Sequence, residues 1–227
     1  MLWVDVRSLQ RVLRSRVEPG MSVLEIGCAP GKTLAWLAKI GRCRVAGLDY
    51  SERGLGFTRD LFRALAIEGD LRCEGLDVTT FAPGSFDLVF SVGVIEHFDD
   101  PRDIVRQHVA LTKPGGLTLV VVPNYGGLYG RIQARFDPAN LLLHNLAIMT
   151  PEALVALQPR EMVSEARAYA AGYLSPWLVN FDKRWPRVLA KGVTYFLNGV
   201  GLMQPFEIPS LCPSLVLELR RRDHPVC

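Results

Sequence analysis

Three acidic residues sit in or just after apolar runs, where a strand would deliver them to one edge of a sheet. Glu25 lies in the run 22–26, Asp49 in the run 44–50, and Asp77 follows the run 71–76. Glu25 and Asp49 are 24 residues apart, about the βαβ distance at which a carboxylate accepts hydrogen bonds from both hydroxyls of a ribose. Asp at a strand end also serves as a helix cap or an Asx-turn. Ser51 is the better N-cap for the helix that follows, which leaves Asp49 for a ligand. A fourth apolar run, 86–92, leads directly to Glu96 and His97. An imidazole there can take a proton from a hydroxyl or amine near neutral pH.

The element that must position these groups is residues 22–39, SVLEIGCAPGKTLAWLAK. It reads as a buried strand, a Gly-rich turn, and a helix with Leu34, Leu37 and Ala38 on one face. That order builds a ligand site at the carboxyl edge of an open α/β sheet. Pro30 suits a first helical turn, and the helix N-terminus offers free N–H groups. The P-loop requires G-x-x-x-x-G-K-[ST], and Gly27, Gly31, Lys32 and Thr33 fall one residue short of it. The dinucleotide fingerprint G-x-G-x-x-G fails because Lys32 holds its last position. Acidic-x-G-x-G-x-G fits Glu25, Gly27, Ala29 and Gly31 with one Gly-to-Ala change.

That last pattern resembles motif I of the class I S-adenosylmethionine (SAM) methyltransferases. The later regions, FDLVFSVGVIEHFDDP at 86–101 and K-P-G-G at 113–116, are similar to the same family in the same order. The resemblance covers residues 20–125. It implies an α/β fold, a Rossmann-like doubly wound seven-stranded sheet in the order 3-2-1-4-5-7-6 with the last strand antiparallel. It implies SAM as cofactor, held by Glu25, Gly27, Ala29, Gly31, Asp49, Tyr50, Asp77, Val78, Ser91 and Val92. Within that set Asp77 would meet the adenine amino group, the Val78 N–H a ring nitrogen, and the backbone at Ser91 and Val92 the methionine part. His97 is the candidate catalytic base. Glu96-His97 also resembles the E-x-x-E-H element of metal-dependent members, but Gly93 stands where their first Glu would be. With one carboxylate lost from a hard-cation site, no metal is expected.

The remaining chain supplies the surroundings. Residues 1–16 read as an amphipathic helix, with Leu2, Val6, Leu9 and Leu13 in a stripe that packs on the sheet edge or folds over the ligand. Residues 124–150 form either a long cap over the acceptor pocket, with Tyr125, Tyr129, Phe136 and His144 as candidate substrate contacts, or a helical cap with ordinary core contacts. Thr150 and Pro151 open a further helix. Residues 172–209 interrupt the last two strands, 162–169 and 214–220, as an insertion whose aromatics fit a lid, a dimer surface or a membrane-surface helix.

All 227 residues read as one domain, and 49% hydrophobic content supports a full core. A net charge of +3 is too mild for a nucleic-acid partner. Five scattered cysteines without a C-x-x-C pair point to a reduced, cytoplasmic protein. No signal peptide or membrane-spanning run is visible. The expected activity is methyl transfer to a small-molecule acceptor, a hydroxyl by preference. An RNA or protein methyltransferase, a non-catalytic SAM-binding module and a homo-oligomer stay open.

Overall fold

Apolar runs bounded by Gly, Asp and Pro become the seven strands of one sheet in the computed structural model, which describes residues 6–223. The strands are β1 (Ser22–Ile26), β2 (Arg44–Asp49), β3 (Gly69–Cys73), β4 (Phe86–Val92), β5 (Thr112–Pro123), β6 (Val163–Ala171) and β7 (Ser214–Arg221). Their order is β3-β2-β1-β4-β5-β7-β6. Pairing is parallel from β3 through β5, and β7 runs antiparallel to both β5 and β6. Order and sense match the sequence expectation.

The helices are α1 (Val6–Arg14), α2 (Lys32–Lys39), α3 (Glu52–Ala64), α4 (Arg102–Leu111), α5 (Leu128–Phe136), α6 (Pro138–Leu141), α7 (Pro151–Val155) and α8 (Arg187–Met203). Side chains alternate across a strand, so each face of the sheet has its own core. Val23, Val45, Leu88, Phe90 and Leu119 pack under α1, α2 and α3 through Leu13, Leu34, Leu37, Leu55 and Phe62. On the other face Val120, Val122, Leu215 and Leu217 meet Val105, Val109 and Leu154 from α4 and α7. These burials, each worth about 1.5–3 kcal/mol for a large aliphatic side chain, fix the layers.

Local signals hold where capping chemistry is short-range. Ser51 caps α3 by accepting from Gly54 N at 3.1 Å, and Thr150 caps α7 by accepting from Ala153 N at 3.1 Å. α1 packs on the sheet as expected, and Arg16 just beyond it pairs with Glu218 of β7 at 2.7 Å, far from the strands' carboxyl edge. Leu2 lies outside the described residues, as does Cys227. Several boundaries differ from the sequence reading, three of them with a clear local cause. β3 ends at Cys73 rather than 76, because the Glu74 carboxylate turns to accept from the Thr80 N–H and hydroxyl at 2.8 and 2.7 Å. The K-P-G-G segment is a bulge within β5, with Phe86 opposite Thr112 and Leu88 opposite Leu117. Gly31, not a residue before Pro30, is the N-cap of α2, so Pro30 precedes the helix. Cys28, Cys43, Cys73 and Cys212 are free thiols. Among the described residues no helix is long and apolar enough to cross a membrane.

Candidate active site

The glycine turn after β1 is stitched to β2 through its backbone. The N–H groups of Gly27 and Cys28 both donate to the Leu48 carbonyl, at 2.8 and 3.2 Å. Gly31 N–H closes the turn on the Cys28 carbonyl at 2.7 Å, and the Ala29–Pro30 peptide is cis. Gly27 and Gly31 adopt φ of +73° and +82°, a region L side chains rarely enter. Space adds a second constraint. A Cβ on Gly27 would stand 2.7 Å from the Val94 side chain, and one on Gly31 2.4 Å from that of Thr58.

Asp49 completes this clamp. One carboxylate oxygen accepts from Ala29 N at 3.0 Å and the other from Ser51 N at 2.9 Å. The expectation that Ser51 leaves Asp49 free is therefore corrected: Ser51 caps α3 with its hydroxyl while its own N–H is held by Asp49. A carboxylate has about four acceptor sites, so two remain for a ligand.

The turn, Asp49 and the residues after β3 and β4 enclose a cavity of about 840 Å³ at the carboxyl edge, within the range of small-molecule sites. Of the expected residues, Gly27, Ala29, Asp49, Tyr50, Asp77, Val92 and His97 line it. Asp77 arrives on a single 3-10 turn, Leu76–Val78. The lining also includes Glu74, Gly75, Gly93, Val94, Phe98 and Ile104. Gly93, at φ +71° directly after β4, carried a signal that the sequence reading used only against a metal. Among the described residues no Lys or Arg lines the cavity, and three carboxylates do, so its field favours a cation.

Four residues expected to hold the cofactor stand outside the lining. Gly31 is consumed by the helix cap. Val78 is exposed at the surface. Ser91 is buried on the α4 side, where its hydroxyl donates to His108 Nε2 at 2.9 Å. His108 donates from Nδ1 to the Ile104 carbonyl at 2.7 Å, and burial pushes its pKa down to about 4, so it stays neutral. Glu25 is buried, with one carboxylate oxygen unpartnered. Burial first, then the charge of Asp49, raises its pKa well above the usual carboxylate range.

The cap behaves differently from its sequence description. Tyr125 donates to the Leu178 carbonyl at 3.0 Å. Tyr129 donates to the Leu211 carbonyl at 2.8 Å and accepts from Ser175 N at 2.9 Å. Phe136 packs edge-on against Phe181 and Trp185, with centroids 4.9 and 4.8 Å away. None of the three lines the cavity; each ties the cap to the insertion 172–209, because their burial needed partners from beyond the cap. His144 does not line the cavity either, but it packs against His97, which does. Asn145 brings it there: its N–H donates to the Glu96 carbonyl at 2.7 Å, and its side-chain amide donates to the carbonyls of Phe98 and Asp99 at 3.1 and 2.9 Å. Nothing in the sequence pattern marked Asn145.

The result is a cluster beside the cavity. The His97 and His144 rings lie 5.1 Å apart, and Tyr125 stands edge-on to His144 at 5.3 Å. His97 Nδ1 faces the Leu143 carbonyl at 3.0 Å and His144 Nδ1 the Asn140 carbonyl at 2.7 Å. A carbonyl only accepts, so both Nδ1 atoms donate, and in the neutral ring Nε2 is the acceptor. Burial holds the His144 imidazole below its ordinary pKa; the Asn140 bond opposes this and the charge of His97 adds to it. Beneath them the Glu96 carboxylate is buried with neither oxygen partnered, and burial pushes its pKa up to about 7. One ligand atom from each of Glu96, His97 and His144 lies within 4.8 Å of the others. Two imidazoles whose second nitrogens are oriented by carbonyls, plus a carboxylate, have the composition of a three-ligand divalent-metal site. Adjacent residues alone could not reveal it, because the third ligand arrives from the cap.

Residues 24–120 match the family model described as "Methyltransferase domain". Among similar proteins, Methyltransferase GfsG of Streptomyces halstedii is 30% identical over 105 residues, 45% of this chain and 38% of the relative. A ubiquinone biosynthesis O-methyltransferase of Bordetella bronchiseptica is 34% identical over 98 residues, 43% of this chain and 40% of the relative. The chain thus spans about two fifths of the length of these curated relatives. The solved structure of Haemonchus contortus phosphoethanolamine N-methyltransferase 2 in complex with S-adenosyl-L-methionine superposes with a TM-score of 0.64 at 15% identity, covering 96% of this chain and 52% of that one. Sheet order, glycine turn and domain match converge on residues 24–120, which carry the methyltransferase-domain match within a sheet of the order found here.

Proposed function

We propose that this protein transfers the methyl group of SAM to a hydroxyl of a small-molecule metabolite, with His97 as the base. The observation that carries this reading is that His97, its Nδ1 held at the Leu143 carbonyl, lines the same cavity as Asp49 and Asp77. Asp49 and Asp77 take the ribose and the adenine amino group, and Gly27 and Ala29 let the cofactor approach the backbone. The carboxylates of an otherwise cation-free cavity complement a sulfonium. When bound, SAM supplies an electrophilic methyl whose C–S bond breaks with both electrons going to sulfur. The acceptor oxygen forms the new O–C bond, and its proton passes to His97 Nε2. Alignment contributes most of the acceleration, and the base about 10²–10⁴-fold. The named O-methyltransferase relatives favour oxygen as the nucleophile.

A second reading of the same cluster rests on Glu96, His97 and His144, which together fit a divalent cation. There the three side chains would hold an ion that polarises the acceptor oxygen. Turnover of hydroxylated acceptors with radiolabelled SAM separates the two. In the base mechanism His97→Ala lowers kcat by about 10²-fold or more while S-adenosylhomocysteine affinity stays within a few-fold, and a chelator has no effect. Loss of activity on chelation, restored by a divalent ion, assigns the cation reading. Full turnover in His97→Ala overturns both.

A further inference from the structure

Helix α8 turns its small side inward and its large apolar side outward. Ala190 and Gly201 are buried against the body. A Cβ on Gly201 would meet the Leu174 carbonyl oxygen at 2.1 Å, so this side is a close backbone approach. At 3.6 residues per turn, Val188, Tyr195, Phe196 and Met203 fall on the opposite face, and they are 85, 63, 70 and 85% exposed. Leu189, Val200 and Leu202 flank them, also exposed. A contiguous apolar face of this kind on a folded protein marks an interaction surface.

The charge around it has one sign. Between Asp182 and Glu207 the chain carries Lys183, Arg184, Arg187 and Lys191 and no acid. None of these four has an acidic side-chain partner among the described residues. Arg184 also lines a recess of about 410 Å³ with Arg135, Phe136 and Trp185. Trp185 stacks on Phe181 there, with centroids 5.4 Å apart and ring planes 12° apart.

We propose that the outer face of α8, with the Arg135–Arg184 recess at its N-terminal end, docks on an anionic lipid bilayer surface. A helix with apolar side chains on one face and cations along its edge lies in the membrane interface plane. Tryptophan and tyrosine prefer that depth, and two arginines beside Trp185 suit a phosphate headgroup. The charge decides against a second copy of this chain. Pairing α8 with its symmetry mate would gather the cations of both copies around one interface, with no acid between Asp182 and Glu207 to offset them.

The test is co-sedimentation of the full chain with vesicles of phosphatidylcholine alone and of phosphatidylcholine with phosphatidylglycerol. The chain binds only the second, and added salt weakens binding. The triple variant R184Q/R187Q/K191Q lowers partitioning by on the order of a hundredfold, from the contribution of each cation near an anionic surface. F196S/M203S also lowers it. The substituted side chains are largely exposed, so both variants keep the wild-type circular dichroism and melting temperature. Absence of binding to anionic vesicles overturns the proposal, as does binding unchanged in both variants. A wild-type dimer that F196S/M203S converts to monomer overturns it too, and assigns the face to self-association. None of these outcomes depends on methyl transfer.

Discussion

Replacing Glu96 by Gln removes one buried ionisable group and little else. The side chain is 1% exposed, neither carboxylate oxygen has a partner, and burial lifts its pKa from 4.5 to about 7. A folded-state pKa above the unfolded value means the native protein holds the proton more tightly than the unfolded chain does. The associated stability is therefore present below about pH 4.5 and is lost as pH rises to about 7. A rise of this size corresponds to roughly 3 kcal/mol. Glu96→Gln cannot ionise, so its stability lacks this slope. Its amide adds a pH-independent offset of about 1–3 kcal/mol if the new N–H groups find no partner. Urea unfolding of both proteins from pH 4 to 8 measures the difference. Relative to its value at pH 4, the variant gains roughly 3 kcal/mol on the wild type by pH 8. Glu25, also raised by burial, is common to both and cancels. Parallel stability profiles for the two proteins would show that Glu96 is solvated or paired in the folded state and would refute the reasoning.

Two other perturbations address the cofactor side. Asp49→Ala removes the acceptor of the Ala29 and Ser51 amides. S-adenosylhomocysteine affinity by calorimetry should fall at least about tenfold, and stability by about 1–3 kcal/mol; unchanged affinity sinks the ribose assignment. Gly31→Ala forces a side chain into φ of +82° and against Thr58, with an expected loss of about 1–3 kcal/mol in chemical denaturation. A loss below about 0.5 kcal/mol, the scale of an ordinary surface change, would mean the turn relaxes freely.

Much of the fold was legible because its signals are local. A buried parallel strand is a continuous apolar run, and 22–26, 44–49 and 86–92 are such runs. Ser51 and Thr150 cap helices through bonds three residues long. Asp49 and Asp77 are placed by the strands before them, so their arrival at one cavity follows from strand direction. The boundaries that moved did so through contacts outside the run itself. The carboxylate of Glu74 curtailed β3 by reaching Thr80. Gly31 displaced Pro30 from α2 because the turn was already committed to the Leu48 carbonyl.

The sequence by itself determined the carboxyl-edge location of the site and two of the acids that line it, Asp49 and Asp77, while its resemblance to a known family implied the sheet order. The site and its acids rest on patterns within single strand–turn–helix units. Only the tertiary structure decided the partners of those residues. It sent Tyr129 and Phe136 into the joint between cap and insertion, and Ser91 to His108. It turned the apolar side of α8 to solvent, because Gly201 packs against Leu174 from a distant loop. It brought His144 to His97 across 46 intervening residues through the three bonds of Asn145. The path of a long connection is set by whichever distant groups satisfy its buried backbone and side chains, and no spacing within the chain encodes that choice.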